Sequence, residues 1–178
     1  ANTGLTEVQV DTLAIDPVTA TTLYAGTLGG GVFKSEDGGE SWNPASVGLS
    51  ETIIRALAID PETPTTVYGA TPGGPFKSIN GGGTWSPAGT ALTTTYTYDL
   101  AVDPETPATV YAATNSGVYK STDGGEGWDP ANTGLSYLGV AEVAIDPLTP
   151  STLYVATGAA GTFKSHDGAD SWVPANAG

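Results

Sequence analysis

The chain has 178 residues, with 19 acids against 5 bases for a net charge of −14, and 39% of it is hydrophobic, enough for a core. That charge would repel nucleic acid and anionic membrane surfaces, and no apolar stretch approaches the roughly 18 residues that a membrane span needs. The absence of cysteine excludes disulfides, thiolate metal sites and a cysteine nucleophile.

From the N-terminus, Ala1 to Leu5 (ANTGL) opens the chain with neither an initiator Met nor a signal-peptide pattern, as expected of a mature form or an excised piece. Asp16-Pro17, Tyr24, Phe33-Lys34 and the run Ser35 to Trp42 follow in that order, and every one of them recurs. Asp16-Pro17, Asp60-Pro61, Asp103-Pro104 and Asp146-Pro147 stand at steps of 44, 43 and 43, while Trp42, Trp85, Trp128 and Trp172 stand at steps of 43, 43 and 44. A fixed period of this size indicates stacked or radial repeats, none of which can bury its apolar face alone.

The second repeat shows the local signals in chain order. Arg55 to Asp60 (RALAID) is apolar and stops at a Pro, Thr66 to Thr71 (TVYGAT) is rich in β-branched and aromatic residues, and Gly73 to Ser78 is a glycine turn leading into PFKS. A fourth short strand is predicted around Trp85, and Pro61 to Pro64, like Pro104 to Pro107, forms a tight reversal between the first two strands. No helical periodicity appears. Four strands in about 43 residues, repeated, predict an all-β chain. The expected fold is a β-propeller of four-stranded antiparallel blades, four per chain, at approximately 5–48, 49–91, 92–134 and 135–178. A solenoid of sheets is the second possibility, with a shorter usual period. Four blades form a closed ring, half of an eight-bladed one, or a stretch of a longer array.

The most specific motif is the run Ser35, Asp37, Gly39, Trp42 with its copies Ser78, Asn80, Gly82, Trp85, then Ser121, Asp123, Gly125, Trp128, then Ser165, Asp167, Trp172. The Asp side chain can accept hydrogen bonds from turn amides, Gly permits positive φ, and Trp covers the turn. This pattern resembles the Asp-box, or BNR, repeat, and the resemblance covers essentially the whole chain. Propellers of that family include sialidases, xyloglucan-degrading glycoside hydrolases, sortilin-type receptors and a photosystem assembly factor. The resemblance implies that the box is a structural clasp away from any catalytic face, and that the setting is secreted or extracytoplasmic. Three copies depart from the pattern, with Asn80 for Asp, Gly127 for Ser or Thr, and Ala169 for Gly.

The aromatic sets Tyr24, Tyr68, Tyr111, Tyr154 and Phe33, Phe76, Tyr119, Phe163 are expected to pack between neighbouring sheets, a carbohydrate-stacking platform being the alternative. Lys34, Lys77, Lys120 and Lys164 are expected on a solvent-facing or edge strand, where they discourage edge pairing. Small residues at Ala14, Ala58, Ala101 and Ala144 would ease crowding in the innermost strands.

The family's sialidases use an arginine cluster, and Arg55 is the only arginine here. Other glycosidase chemistry needs a carboxylate pair, for which Asp11, Glu51, Asp99 and Glu142, or Glu62 and Glu105 in the Pro turns, are conceivable members. Loop lengths argue against a catalytic site, since Lys to box Trp is 8 residues in every copy and Trp to the next Asp-Pro is 18. His166 reads as a solvated turn residue rather than a general base. No catalytic residue, metal ligand or cofactor site is assigned. The expectation is a non-catalytic scaffold or interaction module that binds a protein partner or self-assembles, with a glycan-binding or glycoside-hydrolase propeller fragment as the alternative. Tyr96, Tyr98 and Tyr137 lie outside the repeat-wide sets and are the possible ligand-facing residues. Nucleic acid and membrane insertion are not expected.

Overall fold

A computed structural model of the chain describes residues 2–7 and 9–176, among which there are sixteen strands and no helix. The first sheet contains β1 (Val10–Ile15), β2 (Leu23–Thr27), β3 (Val32–Ser35) and β4 (Asn43–Pro44). The second contains β5 (Ala56–Ile59), β6 (Val67–Thr71), β7 (Gly74–Ser78) and β8 (Ser86–Pro87). The third contains β9 (Thr97–Val102), β10 (Val110–Thr114), β11 (Gly117–Ser121) and β12 (Asp129–Pro130). The fourth contains β13 (Val140–Ile145), β14 (Leu153–Thr157), β15 (Gly161–Ser165) and β16 (Val173–Pro174). Each sheet is an antiparallel meander in chain order, the blade of a β-propeller. The first strands of successive blades approach one another, which makes them the innermost.

Register divides every blade into two faces. Ala14, Tyr24 and Lys34 stand opposite one another across three strands, as do Ala58, Tyr68, Lys77 and their counterparts in blades 3 and 4. The other face carries Leu13, Ala25 and Phe33 in blade 1 and Leu57, Gly69 and Phe76 in blade 2. Because side chains alternate along a strand, one repeat supplies a tyrosine-lysine face and a leucine-phenylalanine face. The core forms where they meet. Tyr24, Val32 and Ile54 pack with Leu57, Phe76 and Trp85, and Tyr111 and Val118 pack with Val143, Phe163 and Trp172.

The reversals are built by the sequence itself. Asp16, Asp60, Asp103 and Asp146 each accept two backbone N–H groups through Oδ1, from the residues two and three positions on. The proline between supplies the fixed φ, so Asp-Pro is a complete turn in two residues. In the box, Gly39, Gly82 and Gly125 have φ of 89°, 82° and 90°, and Ala169 adopts 71° at the same position. A fully buried site holds that alanine in a conformation natural to glycine.

The lysine set differs from its expected place. Lys34, Lys77, Lys120 and Lys164 lie on the third strand, flanked on both sides by paired strands, and are half-buried rather than edge guards. The edge is the two-residue fourth strand, which its shortness and its proline already protect. That strand begins one residue after the box tryptophan.

Candidate functional site

Each box is a closed hydrogen-bonded unit. Ser35 Oγ donates to Asp37 Oδ1 at 2.7 Å and accepts the Gly39 N–H at 2.9 Å, while Asp37 also accepts the N–H and hydroxyl of Ser41. Ser165 with Asp167 repeats the arrangement, and Ser121 with Asp123 does so without the hydroxyl donor, Gly127 offering only its N–H. In blade 2, Asn80 Oδ1 takes the same donors, from Ser78 and Thr84, and its Nδ2 donates to the Thr84 hydroxyl. The Ser41 hydroxyl holds the Asp37 carboxyl down to about 2, and the Ser171 hydroxyl does the same for Asp167. The Gly127 N–H lowers Asp123. These carboxylates spend their lone pairs within their own turn.

The box also reaches the preceding blade, a contact that the motif did not announce. Trp85, Trp128 and Trp172 each donate Nε1–H to a carbonyl one blade back, those of Ala45, Ala88 and Ala131, at 2.8, 2.9 and 2.8 Å. In the opposite sense, Tyr68 Oη and Lys77 Nζ both donate to the Gly124 carbonyl at 3.0 and 2.8 Å, and Tyr111 and Lys120 do the same to Gly168 at 3.2 and 2.8 Å. Burial pushes the Tyr68 and Tyr111 hydroxyls up to about 12, so both remain donors. In the first junction Lys34 turns to Glu36 at 2.9 Å, although Tyr24 Oη and Lys34 Nζ still flank Gly81. The lysine therefore secures the neighbouring blade.

The second feature is a cluster on the innermost strands. Register shifts in β1, β9 and β13 leave Asp11, Tyr98 and Ala141 outside the ladder, and Arg55 stands at the corresponding position just before β5. Bulges of this kind re-aim side chains, and here they bring unlike residues together. Arg55 pairs with Asp11 at 3.1 Å and donates Nε–H to Tyr96 Oη at 2.9 Å, and the Tyr96 and Tyr98 rings lie 4.6 Å apart. Tyr98 is exposed and Tyr96 half-buried. Tyr137 does not join them; its exposed ring lies against Gly139 and Gly158 in blade 4. Asp99 accepts the Val143 N–H at 3.0 Å, and burial raises its carboxyl, with the charge of Glu142 a smaller contribution. Glu51 lies beside Gly73, and Glu62 and Glu105 follow the Asp-Pro turns. His166 is exposed at its turn. Among the described residues no three His, Asp or Glu side chains converge as a metal site would require.

The third feature is the pair of end faces. Leu57, Leu100 and Val143 are buried under the preceding blade, whereas Leu13 is 61% exposed and Ile15 58%. Tyr24, Tyr68 and Tyr111 are 1–2% exposed, whereas Tyr154 is 41% exposed beside a cleft of about 180 Å³ lined by Glu142, Ala144 and Thr162. Tyr154 thus departs from the packing expected of its set. Lys164 Nζ sits 5.1 Å over its ring, with no hydrogen-bond acceptor among the described residues.

No family model matches the sequence, and no curated protein does. Solved structures do match. A GH74 xyloglucanase from Xanthomonas campestris superposes with a TM-score of 0.79 at 20% identity, over 97% of this chain and 31% of that one. A YCF48 protein bound to a D1 peptide gives 0.60 at 19%, over 85% of this chain and 48% of that one. The extracellular domain of a hybrid two-component system of B. thetaiotaomicron gives 0.71 at 16%, over 89% and 21%. At these identities the shared property is the propeller fold. The chain spans about a quarter to a third of the length of the GH74 enzymes it resembles. No helix of the structure is long and apolar enough to cross a membrane.

Proposed function

We propose that the chain is a non-catalytic propeller module that works by binding protein, through surfaces that its own repeat equips for packing. The observation that carries this reading is the exposure of Leu13 and Tyr154, whose counterparts Leu57, Leu100 and Val143, and Tyr24, Tyr68 and Tyr111, are buried between the described blades. Exposed large apolar side chains suit an interaction surface. Two inner-strand carboxylates fit the same reading, because Asp11 is committed to Arg55 and Asp99 to a backbone N–H. An extracytoplasmic setting belongs to this proposal and is supported by the likeness to an extracellular domain. The test is reducing-sugar release by the 178-residue chain from xyloglucan and a broad panel of polysaccharides. None is expected, and turnover of any of them would sink the module reading.

A glycan-binding role is the second reading. It is favoured by the Tyr96–Tyr98 pair beside Arg55, an exposed aromatic surface flanked by a hydrogen-bonding cation. Binding on a glycan array, lost on Tyr98→Ala and kept on Tyr137→Ala, would establish it.

A further inference from the structure

We infer that Asn80-Gly81 is a self-modification site, at which Asn80 loses its amide through a cyclic imide and the second box then accepts the aspartate product and rejects the isoaspartate one. Of the chain's asparagines, Asn80 is the one followed by glycine. Glycine places no side chain between its backbone nitrogen and the preceding Cγ, so the nitrogen can reach that carbon, and asparagine is a chemically labile residue. The other three boxes carry Asp37-Gly38, Asp123-Gly124 and Asp167-Gly168 at this place. An ionised carboxylate is a poor electrophile, so the second box alone holds an amide to lose.

The reaction balances with water as its one co-reactant. The Gly81 nitrogen attacks Asn80 Cγ as it gives up its proton, the Cγ–Nδ2 bond breaks, and ammonia leaves with that proton. Water then opens the imide. Cleavage of the new Cγ–N bond restores the main chain and leaves aspartate. Cleavage between the same nitrogen and the Asn80 carbonyl carbon leaves isoaspartate, whose main chain runs through Cγ and is one carbon longer.

The closed box opposes the first step. Gly81 N–H donates to the Thr65 carbonyl at 2.8 Å, Asn80 Oδ1 accepts the Ser78 hydroxyl at 3.0 Å and the Thr84 N–H at 2.8 Å, and Asn80 Nδ2 donates to the Thr84 hydroxyl at 3.0 Å. Both the attacking nitrogen and the amide under attack are tied, so reaction waits on local opening. Tyr68 and Lys77 bond the Gly124 carbonyl, and Tyr111 and Lys120 the Gly168 carbonyl, whereas Lys34 turns to Glu36 and the Gly81 carbonyl receives neither bond among the described residues. Opening therefore breaks fewer bonds at this junction. Lys34, Glu36 and Asn80 line one cleft of about 250 Å³ between blades 1 and 2, to which the aspartate adds a carboxylate.

The same box sorts the products. Aspartate at position 80 meets the donors that Asp37 and Asp167 already have: the Ser78 hydroxyl and the Thr84 N–H stay in place, and the Thr84 hydroxyl turns to donate, as those of Ser41 and Ser171 do. Isoaspartate has no room. A Cβ on Gly81 would stand 3.3 Å from Tyr24 Oη, and one on Gly82 3.2 Å from Tyr24 Cε1 and 3.5 Å from Ala45 Cβ. An extra main-chain carbon pushes both glycines into blade 1 and shifts Trp85 from the Ala45 carbonyl that its indole holds at 2.8 Å.

Peptide mapping by mass tests this on the 178-residue chain, aged in mildly alkaline buffer with and without urea. Conversion of Asn80 to the acid is expected in both, at least roughly 10-fold slower without urea because the bonds at Gly81 and Thr84 must open first. When the urea-aged mixture is refolded and exposed briefly to a protease, the isoaspartate form should be digested and the aspartate form enriched in the intact fraction by at least roughly 10-fold. The variant Asn80→Asp, which supplies one product outright, should fold and resist protease as the parent chain does. Equal rates with and without urea overturn the proposal, as does acid gain appearing first at Asn115, which Ser116 follows. Isoaspartate kept in the intact fraction at its share of the whole mixture overturns the sorting, and so does an Asn80→Asp chain that fails to fold. None of these readouts depends on whether the chain binds protein or releases sugar.

Discussion

Tyr68 and Tyr154 occupy one strand position in two blades, between an inner alanine and an outer lysine, yet one is sealed against the next box and the other lies open. The same local sequence therefore has two energetic roles, decided by whether another blade follows. A blade is half an interface on each side, so one position is buried where a described blade faces it and open where none does.

The comparison is broken most severely by truncating the two tyrosines. Tyr68→Ala removes a buried ring and its hydrogen bond to Gly124, and should cost about 3–5 kcal/mol in urea unfolding. Tyr154→Ala, whose ring is already exposed, should change stability by less than about 0.5 kcal/mol. Equal losses would mean that the fourth blade's face is covered within one chain.

Smaller effects follow from the polar contacts of the same junctions. Trp128→Phe keeps most of the apolar surface but leaves the Ala88 carbonyl without its indole donor, for an expected loss of about 1–3 kcal/mol. Lys77→Met leaves the Gly124 carbonyl its bond from Tyr68, so the loss should be nearer about 1 kcal/mol. Lys164→Met should be neutral. If Lys164→Met matches Lys77→Met, the lysine acts within its own sheet, and the assignment to inter-blade contact fails.

Much of this architecture was legible because the period and the strand pattern are carried by residues whose chemistry is local. Asp-Pro and the Ser-Asp-Gly box close their own turns, so their spacing alone locates four blades. The role of Lys77 was not legible, since its partner lies 47 residues away and a strand pattern reports which face a residue shares but not what stands opposite. The same limit hid the Trp128 bond to Ala88, 40 residues back. The Asp11–Arg55–Tyr96 cluster escaped for another reason. Three residues that break the repetition converge only because the inner strands of the first three blades come together. Tyr96 and Tyr98 stood out as departures from the repeat, but nothing in their spacing separated them from Tyr137. The exposure of Tyr154 is invisible in a repeat that reads alike in every copy.

The mildest prediction compares the box of blade 2 with those of blades 1 and 4. Asp37 and Asp167 ionise at about 2 in the folded chain, against an ordinary 3.8, because their turn donors favour the charged form. A carboxyl depressed in this way stabilises the fold fully above 3.8 and ceases to do so as pH falls to about 2, since the unfolded chain then binds protons that the folded one does not. Asn80 makes the corresponding bonds without titrating. Asp99 acts in the opposite direction, its raised carboxyl recovering stability as it protonates, so the net acid slope belongs to the box residues only in part. The double variant Asp37→Asn with Asp167→Asn should therefore unfold with a shallower dependence on pH between about 4 and 2 than the parent chain, while their midpoints stay close near pH 7. Urea midpoints across that range measure it. An unchanged slope would mean that these two turns open before their carboxylates are protonated, making them the weakest parts of the outer blades and Asn80 the marker of the firmer interior.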